Sequence, residues 1–313
     1  MNALVTPLTI TRDLLTGTEW SPARIRELHH LAADIKARPD RHRGALGGRF
    51  LALIFEKPSL RTRVTFEVGI QSMGGAAIFL DHTNTRLGER ESIKDVARNL
   101  ERWVQGIVAR TFEQRALEEL AEHAAIPVIN ALSDRYHPCQ ALADFFTLEE
   151  RFGGLRGLKL AYVGDGNNVC HSLLATGARV GAHVRVATPA GYEPDPTIVA
   201  EARRAARETH GKIEIFPTAE EAVAGAQAVY TDVWASMGQE HEAAQRAAIF
   251  APYQVNGALL ELAAPDGVFL HCLPAHRGSE VTDAVMDSPR SLVYEQAENR
   301  LHVQKAILLM LLS

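Results

Sequence analysis

The chain's 313 residues exceed what one hydrophobic core usually serves, so two domains are expected. Its composition, 46% hydrophobic and 23% charged, is that of a globular protein, and 33 Lys and Arg against 38 Asp and Glu leave a formal charge of −5. That excess of acid argues against nucleic acid or an anionic membrane as a partner, and it requires any bound anion to be held by a local cluster of cations.

Cys139, Cys170 and Cys272 are too few and too scattered for a disulfide framework or a zinc site, and they fit a reducing compartment. Residues Met1 to Arg12 lack a basic segment followed by an apolar run. The longest apolar run, Ala306 to Leu312, is far too short to span a bilayer. A cytoplasmic protein without membrane contact is expected.

In chain order, Phe50 to Phe55 reads as a buried strand, followed by a helical run from Val64 to Gly69. Strands are expected at Ala76–Leu80, Gly106–Arg110 and Ile126–Asn130, separated by helices at Ser92–Val104 and Glu113–Ala124. A helix from Pro138 to Phe152 follows, ended by Gly153-Gly154. The alternation then begins again, with strands at Leu158–Val163, Val184–Ala187, Ile213–Phe216, Ala228–Thr231 and Val268–Leu270. Continuously apolar strands alternating with helices indicate parallel sheets covered on both faces. The expected fold is therefore two open parallel α/β domains, 1–147 and 148–313, with the active site in the cleft between them. The last helix, Glu295–Leu312, is apolar enough to pack on its own domain or to cross back to the first.

In such sheets ligands sit beyond the carboxyl ends of the strands. After the first strand, Ser59, Leu60, Arg61, Thr62 and Arg63 bring hydroxyls, guanidiniums and free amides to a helix N-terminus, the chemistry of a phosphate site. A capped helix with solvated arginines would present the same string. Arg110 ends the third strand, and His137 and Gln140 stand one helical turn apart after the fourth. In the second half, Gly164 to Val169 opens like a dinucleotide fingerprint, but Val169 stands where the third glycine belongs. Asp232, Ser236, Met237 and Gly238 follow one strand, and His271, Cys272, Leu273 and Pro274 another. Cys272 could be a proton or hydrogen-bond acceptor or simply a small buried hydrophobe, and His271, Cys272 and His276 lack a fourth ligand for a metal.

The Ser59-Leu60-Arg61-Thr62-Arg63 and His137-Pro138-Cys139-Gln140 segments together resemble the aspartate and ornithine carbamoyltransferase superfamily. The resemblance implies that Ser59, Leu60 through its backbone, Arg61 and Thr62 hold the phosphate of carbamoyl phosphate. It places Arg110, His137 and Gln140 on the carbamoyl group and adds Arg300 to the donor site. The segment from Thr83 to Glu91 would reach a neighbouring subunit's site and bring Arg86 to the phosphate there. Two positions depart from the family pattern, Leu60 where Thr is frequent and Arg86 where ornithine enzymes often carry Gln.

Ser236-Met237-Gly238 and His271-Cys272-Leu273-Pro274 resemble the acceptor loops of the family's ornithine-specific branch. By that resemblance Asn168, Asp232, Ser236 and Met237 bind L-ornithine, Cys272 lies beside the attacking amine, and Leu273 offers its carbonyl. Arg110, His137, Asp232 and Cys272 would be the catalytic set. No metal or organic cofactor is implied, because the donor is already reactive. A homotrimer or a multiple of it is implied. The readings that compete are an enzyme acting on putrescine or an N-acylated ornithine, an oxidoreductase built on the Gly164 loop, and a non-catalytic phosphate-binding regulator.

Overall fold

The computed structural model describes residues 12–83, 86–235 and 242–313, except the side chain at 243. The first half contains α1 (Pro22–Ala37), β1 (Phe50–Phe55), α2 (Leu60–Ser72), β2 (Ala76–Asp81), α3 (Ile93–Trp103), β3 (Gly106–Arg110), α4 (Gln114–His123) and β4 (Val128–Leu132). A long helix, α5 (Pro138–Phe152), leads into the second half. There follow β5 (Lys159–Val163), α6 (Asn168–Val180), β6 (His183–Ala187), α7 (Pro196–Thr209), β7 (Lys212–Phe216), α8 (Ala219–Val223) and β8 (Ala228–Thr231). The chain ends with α9 (Ala243–Phe250), α10 (Gly257–Leu260), β9 (Val268–His271), α11 (Asp283–Met286) and α12 (Val293–Leu312).

Two sheets result, β2-β1-β3-β4 and β7-β6-β5-β8-β9, and every pairing in them is parallel. The expected class is what forms. In each sheet the strand order reverses once, between β1 and β3 in the first and between β5 and β8 in the second. A crevice opens beyond such a reversal because the flanking connections leave on opposite faces.

Local chemistry sets the boundaries. Ser92 caps α3 by accepting from the N–H of Asp95, and Pro138 opens α5 at a position that needs no N–H. Gly153 closes α5 in the left-handed region, φ 73°. The fourth strand begins two residues later than expected. Pro127 has no N–H for the ladder and contributes only its carbonyl, to Ile107, so pairing starts at Val128 and runs on to Leu132.

α5 belongs to both cores. Cys139, Leu142, Ala143 and Phe146 face the first, whereas Ala141, Phe145 and Leu148 face the second. α12 crosses back to the first half, where Val303, Ile307 and Leu308 pack with Leu28 and Ile35 of α1 and Phe66 and Ile70 of α2. Helix α1, which precedes the first strand and so escapes the alternating pattern, packs against α12 in that core. Among the described residues no helix is long and apolar enough to cross a membrane.

Candidate active site

Both reversal points open into one cleft of about 1060 Å³, lined from β1, β3 and α5 on one side and from the ends of β5, β8 and β9 on the other.

On the first side, α2 starts at Leu60 with Ser59 at its N-cap, and the Ser59 side chain makes no capping hydrogen bond. The hydroxyl and the first-turn amides are thus left for a ligand, which distinguishes this loop from an ordinary capped helix. Successive helical residues are about 100° apart, so Arg61 and Arg63 point to opposite sides. Arg61 lines the cleft. Arg63 turns outward to Glu67 at 3.0 Å and lies over the ring of Phe79, so only one of the loop's two guanidiniums reaches the site. Leu60 has no polar side-chain atom, and its side chain is 74% exposed, leaving its backbone as the one donor it can offer.

Arg300, entering from α12, ties three elements together. Its Nη2 donates to Thr62 Oγ1 at 2.7 Å and its Nη1 to Gln140 Oε1 at 2.8 Å. Arg110 is buried at the end of β3, and burial followed by the charge of Arg300 lowers its pKa to about 10. Burial also lowers Arg300 and Arg61. Among the described residues none of the three forms an ion pair, and burial disfavours the charge of each, so together they suit an anionic ligand. His137, at the N-cap of α5, is held well below the usual histidine range by burial, then by Arg300 and Arg110. It is a neutral imidazole whose Nδ1 has no partner among the described residues.

Glu56, after β1, organises the rim. Its two carboxylate oxygens accept the backbone N–H groups of Leu87 and Phe112, each at 2.7 Å. Arg86 and Lys57 both lie against the Phe112 ring, at 4.5 and 4.4 Å from its centre. Arg86 lines the cleft of its own chain, with Glu56 holding the adjoining backbone of Leu87, and its reach to a neighbouring subunit's site stays what the resemblance implies.

On the second side, Asn167 caps α6 with its Oδ1 and donates Nδ2 to Asp232 Oδ2 at 2.9 Å. Asn168, the neighbour expected to bind the acceptor, spends its Nδ2 on the carbonyl of Ser133 at 2.6 Å, bridging the cleft. The thiol of Cys272 donates to Asp232 Oδ1 at 3.1 Å. Burial, then the Asp232 carboxylate, push that thiol well above the usual cysteine range. The expected thiolate acceptor is thus corrected to a thiol donor, because a second negative charge beside Asp232 in a buried site is unfavourable.

Leu273 sits at φ 59° with its N–H on His271 Nδ1 at 2.9 Å, and His271 Nε2 faces Glu280 Oε1 at 3.3 Å. Asp232, His271 and Cys272 place ligand-type atoms within 4.8 Å of one another, but these hydrogen bonds already engage them. Gly166 packs on the Tyr192–Pro194 backbone, so this glycine serves an internal contact and not a pyrophosphate. Ser236 and Met237 lie outside the described residues.

Sequence reasoning missed five residues of the site and its surroundings. Lys57 follows β1 directly and was within reach of the strand-end rule. Arg246 on α9 was not: it binds Asp165 Oδ2 at 3.1 Å and the Trp234 carbonyl at 2.9 Å, from a short helix far along the chain. Asp165 is pushed up to about 6 by burial, opposed by Arg246. Asp144 and Gln296 lie behind the cleft, in a hydrogen-bond network with no sequence signature.

Known proteins share the sequence pattern and the fold. Residues 12–150 match the carbamoyl-P binding domain of aspartate/ornithine carbamoyltransferases, and residues 156–311 match the Asp/Orn binding domain. The ornithine carbamoyltransferase of Thermus thermophilus is 54% identical over 97% of this chain and 98% of its own length. That of Anoxybacillus flavithermus is 51% identical over the full length of both. The solved structure of ornithine carbamoyltransferase from Pyrococcus furiosus superposes with a TM-score of 0.93 at 49% identity, covering 96% of this chain and 97% of its own.

Proposed function

The chain belongs to the aspartate/ornithine carbamoyltransferase family, and from that premise we propose that it transfers the carbamoyl group of carbamoyl phosphate to the side-chain amine of L-ornithine, giving L-citrulline and phosphate. The observation that carries this reading is the pairing of two chemistries across one cleft. Half-buried Arg61 and buried Arg110 and Arg300, without an ion pair among the described residues, face it from one side, and the Cys272–Asp232 pair faces it from the other.

In this reading Ser59, the Leu60 N–H, Arg61, Thr62 and Arg86 hold the phosphate. Arg300 aligns Thr62 and Gln140 beside it. Arg110 and the neutral imidazole of His137 donate to the carbamoyl oxygen. Asp232 receives the acceptor amine, which attacks the carbonyl carbon. Charge grows on the oxygen, where Arg110 stabilises it, and the carbon–oxygen bond to phosphate then breaks. The amine proton leaves with the phosphate. His137 is suited to this because a neutral donor polarises the oxygen without repelling the neighbouring guanidiniums. Asn168 must release Ser133 if it is to reach the acceptor, and Ser236 and Met237 are assigned to the acceptor by resemblance. Neither a metal nor an organic cofactor enters the scheme.

The donor lobe is taken as 1–147 and the acceptor lobe as 148–313, with α12 lent to the first. A homotrimer or a multiple of it is proposed. An exposed apolar stripe supports it, with Leu60, Val64 and Val68 four residues apart on α2 and Ile78 on the edge strand β2. A monomeric mass by light scattering would discard it. A cytoplasmic location is supported by three free cysteines, and fractionation tests it.

The deciding assay is citrulline formation from carbamoyl phosphate and ornithine, run beside putrescine, N-acetylornithine and aspartate. Turnover is expected with ornithine alone. Preference for another amine would keep the donor site and discard the acceptor assignment.

A further inference from the structure

The hydrogen bonds behind the donor cations form a chain that joins the two lobes, and a carboxylate that lines no part of the cleft lies at its centre. Asp144, one turn after Gln140 on α5, is completely buried. Its Oδ1 accepts from Gln140 Nε2 at 2.8 Å and from Gln296 Nε2 at 2.7 Å. A primary amide has a donor end and an acceptor end, so what it meets at one end sets what it offers at the other. With Nε2 spent on Asp144, Gln140 turns Oε1 to Arg300 Nη1, and the other arm of Arg300 reaches Thr62. On the far side, Gln296 Oε1 accepts the backbone N–H of His271 at 2.9 Å, immediately before Cys272 and Leu273. Were residue 144 apolar, Gln140 could turn its Nε2 to Arg300, donor against donor.

We propose that Asp144 is a positioning residue for the transfer reaction: one carboxylate oxygen sets the polarity of both glutamine amides, and so holds Arg300 on the donor loop and the His271–Leu273 segment on the acceptor side. The role rests on the donor and acceptor assignments made above. It needs an acceptor at Oδ1 and not a charge. Burial pushes the carboxyl up to about 7, opposed by its hydrogen bonds with Gln140, Gln296 and the Tyr230 hydroxyl. An amide oxygen can therefore take its place.

Steady-state kinetics on the full-length enzyme tests this. Asp144→Leu removes the acceptor at similar volume, and the KM for carbamoyl phosphate is expected to rise about ten-fold or more, with the ornithine KM rising too. Asp144→Asn is expected to return the donor KM to within about three-fold of wild type. Gln296→Met cuts only the acceptor branch and should raise the ornithine KM while leaving the donor KM near wild type. If Asp144→Leu does not fold by circular dichroism, Asp144→Ser, too short to reach both amides, is read the same way. A folded Leu or Ser variant with unchanged KM values overturns the proposal, since a purely structural residue would lower Tm alone. So does an Asn variant as impaired as Leu, which would make charge the operative property. Absence of citrulline formation by the wild type would instead strike the functional reading, and the same ranking of variants would then be read on the Kd of inorganic phosphate.

Discussion

The Cys272 thiol donates to Asp232 on the wall of the cleft, and its role follows from keeping its proton. Because burial and Asp232 keep the sulfur protonated, Cys272 stands as a donor to Asp232, and in the proposed reaction Asp232 accepts from the neutral acceptor amine. Cys272→Ser keeps a donor at that point, whereas Cys272→Ala leaves Asp232 Oδ1 without one. The Ala variant should lose roughly ten- to hundred-fold in kcat/KM for ornithine and the Ser variant much less. Equal losses in the two would show that sulfur chemistry is required. Asp144 gives a second effect at this scale, on stability. Its folded pKa, about 7, lies above the ordinary 3.8, so between these values the unfolded chain has released the proton that the folded chain retains. Stability therefore falls as pH rises from about 4 to about 7 and then levels off. Asp144→Asn removes that slope, so its Tm relative to wild type should be higher at pH 8 than at pH 5. A pH-independent Tm difference would contradict this.

At the scale of elements, the helices following the strands do the positioning, and their faces decide which residues count. On α2 the alternation of Arg61 inward and Arg63 outward is a consequence of helical pitch, invisible until the helix start is known to be Leu60. α6 must lie close to both α5 and β6 if Asn167 at its N-terminus is to reach Asp232. Gly177 permits that approach: a Cβ there would run into Val184 of β6 and meet Phe145 of α5 at 3.0 Å. Gly177→Ala should cost ~1–3 kcal/mol through overpacking, seen as a lowered Tm. An unchanged or raised Tm would mean that the helix shifts freely. The strand ends were legible because apolar, β-branched runs stop where polar loops begin. The network behind them was not, since Gln296, Asp144 and Gln140 are distant in sequence and carry no periodic signal.

For the whole molecule, the decisive feature is that α12 leaves the second half and completes the first core. A fragment comprising residues 1–155 would lack the surface supplied by Val303, Ile307, Leu308 and Leu312 and would expose Leu28, Ile35 and Ile70. It is expected to aggregate or bind a hydrophobic dye, and a cooperatively melting fragment would refute the dependence. The same crossing delivers Arg300 to Thr62, so that contact cannot form until α12 has been made. The sequence by itself determined the two parallel α/β lobes, the strand ends at which donors gather, and the family. Those depend on hydrophobic period and on contiguous loops, which are local properties. Only the tertiary structure decided where α12 packs, which guanidiniums face the cleft, that Cys272 is a donor and that Asp144 links the two sides. Each of these depends on residues far apart in the chain meeting in a buried place, where low polarity and the neighbouring charges fix the protonation state and the direction of every hydrogen bond.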